Sequence, residues 1–189
     1  MSPALILIDL QLAIDDPSWG RRNNPEAEAN VGRLLKHWRG SGWPIIHVRH
    51  DSREPNSKYR PGQPLHAFRP ETAPASGETV LGKTTCSAFL STGLADRVQG
   101  RALVIAGVTT NNSVESTVRS AGDLGFAVTL AQDACFTFEK RDWFGIERSA
   151  DEVHGMTLSN LDGEYCRVLS TGEIICAAET YSPSSPSPP

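Results

Sequence analysis

Residues 4–10 read ALILIDL, an unbroken apolar run closed by an acid. A strand with one wet face would alternate apolar and polar residues. A run apolar at every position is shielded on both faces, which calls for a parallel sheet with helices packed on each side. The remainder of the chain repeats this theme. The spacing predicts a helix over 25–39, with Asn24 as its cap, Pro25 in the first turn, acids early and bases late. Val31, Leu34, Leu35 and Trp38 form its buried stripe, and Gly42 ends it. Further strands are predicted at 45–48, 78–81, 102–106 and 127–130, with a weaker one at 165–169. Further helices are predicted near 89–98, 112–124, 149–161 and 171–178, the third opened by a capping box of Ser149 and Glu152. Strands alternating with helices in this way predict a doubly wound, mostly parallel α/β sheet with helices on both faces. Its ligand site lies beyond the carboxyl ends of the strands.

Two segments fall outside the alternation. Residues 49–77 have no periodicity, and a stretch that long inside a compact domain is functional or disordered. Residues 179–189 are rich in Ser and Pro and are expected to be a disordered tail behind one domain spanning 1–178. The formal net charge of -4, with no long basic run, argues against nucleic acid and anionic membrane surfaces as partners. Cysteines 86, 135, 166 and 176 show no C-x-x-C spacing. The apolar residues 3–8 are too few for a secretion signal, and no run reaches the length of a membrane span. Free thiols in a reducing cytoplasm are the expectation.

The strand-end rule selects Asp9, Arg49, His50, Asp51, Lys83, the turn 107–113 and Asp133. An ionised carboxylate at Asp9, against an apolar strand, needs a partner or water. It reads equally as a turn cap or as a general base. Lys83 alone is a solvated lysine, whereas beside a carboxylate it would fix that group's charge. The segment 107–114, GVTTNNSV, joins a strand to a helix, so the first backbone N–H groups of the helix are free to face the crevice. Ser113 is either a nucleophile beside an oxyanion site or, with Asn112, a helix cap. Among the histidines, His47 is expected in the core, His50 at the pocket with Asp51, and His66 in solvent. No zinc-binding spacing, phosphate loop, dinucleotide fingerprint or G-x-S-x-G elbow is present.

Taken together, the blocks ILIDLQ (6–11), WGRRNNPEAEANV (19–31), HVRHDS (47–52), RPGQP and FRPE (60–71), GKTTCSAF (82–89), GVTTNNSVESTVRSAGDLGF (107–126), DACFTF (133–138) and SADEVHGMTLSNLDGEY (149–165) resemble the isochorismatase-like cysteine hydrolases. The resemblance runs from Ala4 to about Ala177. It implies a six-stranded, Rossmann-type three-layer fold and hydrolysis of small amide or ureido C–N bonds without a cofactor or metal. It further implies a homodimer or homotetramer, in which a neighbouring subunit can complete the pocket. By position, Asp9 corresponds to the acid/base, Lys83 to its charged partner and residue 113 to the nucleophile. A cis peptide between Val108 and Thr109 is implied, aiming the N–H groups of residues 109 and 113 at an oxyanion. Trp19, Arg49, His50, Asp51 and Phe138 are candidate pocket residues, with further substrate determinants expected in 49–77 and near Trp143. Cys86 could line the pocket, but it and Cys135 are expected to be small packing residues, since neither sits on the oxyanion turn.

One departure stands out, because the family's nucleophilic cysteine is Ser113 here. A hydroxyl is a far weaker nucleophile than a thiolate at neutral pH. The readings are an engineered, inactivating replacement, a natural serine hydrolase, or a vinyl-ether hydrolase that works by Asp protonation and needs no thiol. A ligand-binding pseudoenzyme is the alternative from another class.

Overall fold

The computed structural model describes residues 1–179. The expected tail, apart from Glu179, lies outside the described residues. Strand β1 (Ala4–Ile8) is buried at every position, as an unalternating apolar run requires. Helix α1 (Ala27–Ser41) buries Val31, Leu34, Leu35 and Trp38 and stops at Gly42 in the left-handed conformation. Strands β2 (Ile45–His50) and β3 (Thr79–Lys83) follow, then a single helical turn, α2 (Leu94–Arg97), and strand β4 (Leu103–Val108). A one-turn π-helix (Thr110–Val114) leads into α3 (Glu115–Asp123), followed by β5 (Val128–Phe136). A short hairpin, β6 (Lys140–Arg141) and β7 (Glu147–Arg148), precedes α4 (Ala150–Leu161), β8 (Arg167–Leu169) and α5 (Thr171–Glu179).

Six strands form one all-parallel sheet in the order β3-β2-β1-β4-β5-β8. From β1 the chain first moves one way, through α1 to β2, and later the opposite way, from β4 through α3 to β5. Because such crossovers are right-handed, helices on connections of opposite direction lie on opposite faces. Accordingly α1 packs with α5 and α3 packs with α4. The direction changes between β1 and β4, and a crevice opens at such a switch point.

Several boundaries differ from expectation for identifiable reasons. The cap of α1 is Glu26, not Asn24. Asn24 instead takes a positive φ of 43° and spends its side-chain amide on the carbonyls of Gln132 and Cys135. The helix expected over 89–98 shrinks to one turn because Ser91 and Gly93 both adopt left-handed backbone, at φ 61° and 71°. Strand β5 runs on to Phe136 past a register shift against β4. The capping box is formed by Ser149 and Glu152. The four cysteines are unpaired, and no helix among the described residues is long and apolar enough to cross a membrane.

Candidate active site

At the carboxyl end of β1 the backbone turns left-handed at Asp9, with φ 54°, a conformation that Asp tolerates better than most residues. This turn holds the carboxylate at the mouth of the sheet. Lys83, the last residue of β3, sits two strands away, about 10 Å at the usual strand spacing, and its side chain spans the gap. Its Nζ donates to Asp9 Oδ2 at 2.7 Å, the Thr85 carbonyl at 3.1 Å and Ser113 Oγ at 3.2 Å. Lys83, Asp9 and Ser113 are only 1%, 4% and 8% exposed. Asp9 Oδ1 makes no hydrogen bond and is buried.

The turn bearing Ser113 is brought to Asp9 by a missing side chain. Gly107 has φ 127°, and a Cβ there would lie 2.2 Å from the Ile8 carbonyl oxygen. Only glycine lets β4 press this closely on the end of β1. The Val108–Thr109 peptide that follows is cis. Behind the turn, Thr110 Oγ1 and His154 Nδ1 are 2.9 Å apart, which ties the turn to α4. On the other side Gln11 is fully buried. Its amide donates to the carbonyls of His50 and His66 and accepts from the His50 N–H at 2.7 Å. One side chain thereby fixes the end of β2 and the loop beyond it against the end of β1.

Burial raises the proton affinity of Asp9, while Lys83, then Ser113 and His50, oppose the rise without cancelling it. The carboxylate is thus paired yet ready to accept a proton. Burial and the nearby Lys83 lower the pKa of His50, which favours its neutral form. Burial also pushes the Tyr59 hydroxyl above its usual value, keeping it a donor. The thiol of Cys135 is pushed by burial up to about 12, as expected of an inert packing residue.

A cavity of about 240 Å³ opens on this group, walled by Trp19, His50, Tyr59, Cys86 and the 108–113 turn. Cys86 takes the pocket-lining alternative and not the packing one: it faces the cavity, with its Sγ 2.8 Å from Asn112 Oδ1. Of the five pocket candidates, Trp19 and His50 line the cavity and the other three do not. Side chains alternate along β2, so Arg49 points away from the face that carries His50. It pairs with Asp51, and Asp51 bonds His66 at 2.7 Å. A Cβ at Gly82 would fall 2.1 Å from Asp51 Oδ2, so the carboxylate rests on bare backbone of β3. His66, expected in solvent, is held in this half-buried pair. Phe138 lies behind Trp19, stacked on it at 5.7 Å. Asp133 caps the start of α5 by accepting from Thr171 N and Oγ1, both at 2.7 Å. His47 is buried and bonded to Glu78 at 2.8 Å. Trp143, at the exposed tip of the β6–β7 hairpin, lines a separate cleft of about 1090 Å³. Among the described residues, no three His, Cys, Asp or Glu side chains are grouped to hold a metal.

An all-parallel six-stranded sheet with helices on both faces and a crevice at its switch point is the isochorismatase-like α/β fold. The isochorismatase domain model matches residues 3–154. A crystal structure of an isochorismatase-family protein from Chromobacterium violaceum is 61% identical, with a TM-score of 0.92, covering 95% of this chain and 94% of that one. An isochorismatase family protein of Bacillus subtilis is 35% identical over 91% of this chain and 94% of its own length. A streptothricin hydrolase of Streptomyces noursei is 31% identical over 72% of this chain and 50% of its own. The chain belongs to the isochorismatase family of hydrolases.

Proposed function

We propose that this site hydrolyses a small amide- or ureido-type C–N bond by the family's Asp–Lys–nucleophile chemistry, with Asp9, Lys83 and residue 113 in those roles. The observation that carries the reading is the convergence of Lys83 on Asp9 and Ser113, at 2.7 and 3.2 Å, with all three side chains buried. With a thiol at residue 113, Asp9 takes its proton while Lys83 holds the carboxylate in place. The sulfur bonds to the carbonyl carbon, and the oxygen gathers charge beside the N–H groups of Thr109 and residue 113, at the Val108–Thr109 peptide. Asp9 returns the proton to the nitrogen as the C–N bond breaks. Water then displaces the sulfur from the thioester, giving a proton to Asp9 that restores the thiol. The cycle calls for no cofactor.

In the Ser113 form the same steps start from a hydroxyl that this acid cannot deprotonate effectively. The chain is therefore proposed to bind substrate with little or no turnover, as an engineered replacement of the cysteine would. The streptothricin hydrolase among its relatives supports bond hydrolysis over ligand storage. Ser113→Cys is expected to hydrolyse some member of an amide and ureide panel, measured by amine or ammonia release. A Ser113→Cys protein inert to the whole panel would overturn the reading.

One observation favours a second reading. Asp9 is buried with a raised proton affinity, which suits protonating a vinyl ether without help from residue 113. If that is the reaction, Ser113→Ala keeps vinyl-ether cleavage and Ser113→Cys gains no amidase activity. We further infer a cytoplasmic homodimer or homotetramer, acting on a small molecule and on neither nucleic acid nor membrane.

A further inference from the structure

Lys83 has more polar neighbours than protons to give. An ammonium carries three N–H groups, and beyond Asp9, Thr85 and Ser113 it meets a fourth polar atom, His50 Nδ1, at 3.4 Å. His50 and Lys83 are register partners on adjacent strands, so their side chains share one face of the sheet. Lys83 can only donate, so a proton on Nδ1 would set two donors against each other. The single proton of a neutral ring is thereby placed on Nε2, on the side away from Lys83. Among the described residues, Nε2 makes no hydrogen bond. The ring lines the reactive cavity and meets Tyr59 edge-on at 5.7 Å. The charged and titratable groups around it are Lys83, Asp9, Asp51 and His66. Burial and Lys83 together keep the ring neutral against the pull of the two carboxylates.

We propose that His50 is a specificity-determining residue that donates its Nε2–H to an oxygen acceptor of a neutral substrate lying between Trp19 and Tyr59. This rests on the reading that the cavity holds the substrate. A carbonyl or ether oxygen satisfies the donor. A substrate ammonium at that point would face a second donor and be rejected, because a site built around one hydrogen bond discriminates strongly against a group that cannot complete it.

The test uses the full chain, 15N-labelled, with acetamide as the probe. Imidazole 1H–15N correlations, with His50 assigned by its loss in His50→Gln, are expected to show an unprotonated Nδ1 and a protonated Nε2 at pH 7. The Nε2–H proton is expected to move downfield and saturate as acetamide is added. An Nδ1–H tautomer, a doubly protonated ring, or an Nε2–H unmoved by acetamide overturns the proposal. In the Ser113→Cys background, His50→Gln keeps an N–H near the imidazole Nε2 and should hold kcat/KM within about threefold. His50→Asn lacks it and should lose about tenfold, mostly in KM. Equal losses in both also overturn it. An acetamide response alongside an inert Ser113→Cys protein would sink the hydrolase reading and leave the role of His50 standing.

Discussion

At the scale of single residues, the Asp9–Lys83 pair is where stability and chemistry meet. Removing one partner of a buried ion pair costs more than the pair contributes, because the other charge is stranded. Lys83→Met is therefore expected to destabilise the fold by roughly 3 kcal/mol at pH 8. The sign of its pH dependence follows from Asp9, whose proton affinity burial raises above the usual carboxylate range. A carboxyl of that kind penalises the folded state once ionised, and the penalty fades as falling pH protonates it in place. Urea melts of the variant should show the loss shrinking at pH 5, and a loss independent of pH would contradict this account. The three members of the group were legible in the sequence because each closes a strand or opens a helix. Gln11, Asn24 and His154 were not, since a buried amide or imidazole that satisfies backbone groups looks like any polar loop or helix residue. Arg49 and Asp51 misled for a simpler reason. Position at a strand end says nothing about which face a side chain takes, and pairing turned both away from the cavity.

At the scale of elements, the start of β3 is clamped to α1. Glu78 accepts from Arg39 at 2.7 and 3.0 Å, from His47 at 2.8 Å and from the Ala75 N–H at 2.8 Å. Burial pushes its carboxyl up, but Arg39, Ala75 and His47 together hold it down from 4.5 to about 2. A depressed acid stabilises the fold above its unfolded pKa, and the benefit is lost as pH falls through the window from 4.5 to about 2. Glu78→Gln should lower stability at pH 7 by roughly 1 kcal/mol, because water screens a pair this close to the surface, and flatten the acid limb of a stability-against-pH curve. An unchanged acid limb would show that the clamp contributes nothing. The strands and long helices were readable from apolar runs, stripes and caps. The β6–β7 hairpin was not, because two residues per strand cannot display a period. Its turn is set by Asp142, which accepts from the Phe144 and Ile146 N–H groups at 2.9 Å.

At the scale of the molecule, the all-parallel sheet is buried through its middle while the hairpin tip is bare, with Trp143 94% exposed. The proposed oligomer is expected to scatter light with two or four times the 20.5 kDa mass of one chain, and a mass of one chain at micromolar concentration would refute it. The fold class was the most legible level of all, because burial on both faces leaves its mark in every central strand. The partition of side chains between cavity and support is decided by contacts between distant segments, and no local pattern records those.

Because β1, β3 and the β4–α3 turn each supply one member of the proposed group, none of them holds it alone. During synthesis the acid and the lysine are joined to the chain before residue 113 and its following helix. Until then the sheet has no β4 to sit beside β1, and the proposed proton donor is absent. Under the proposed chemistry, activity therefore waits for the sheet to close, whatever length of chain has already been made.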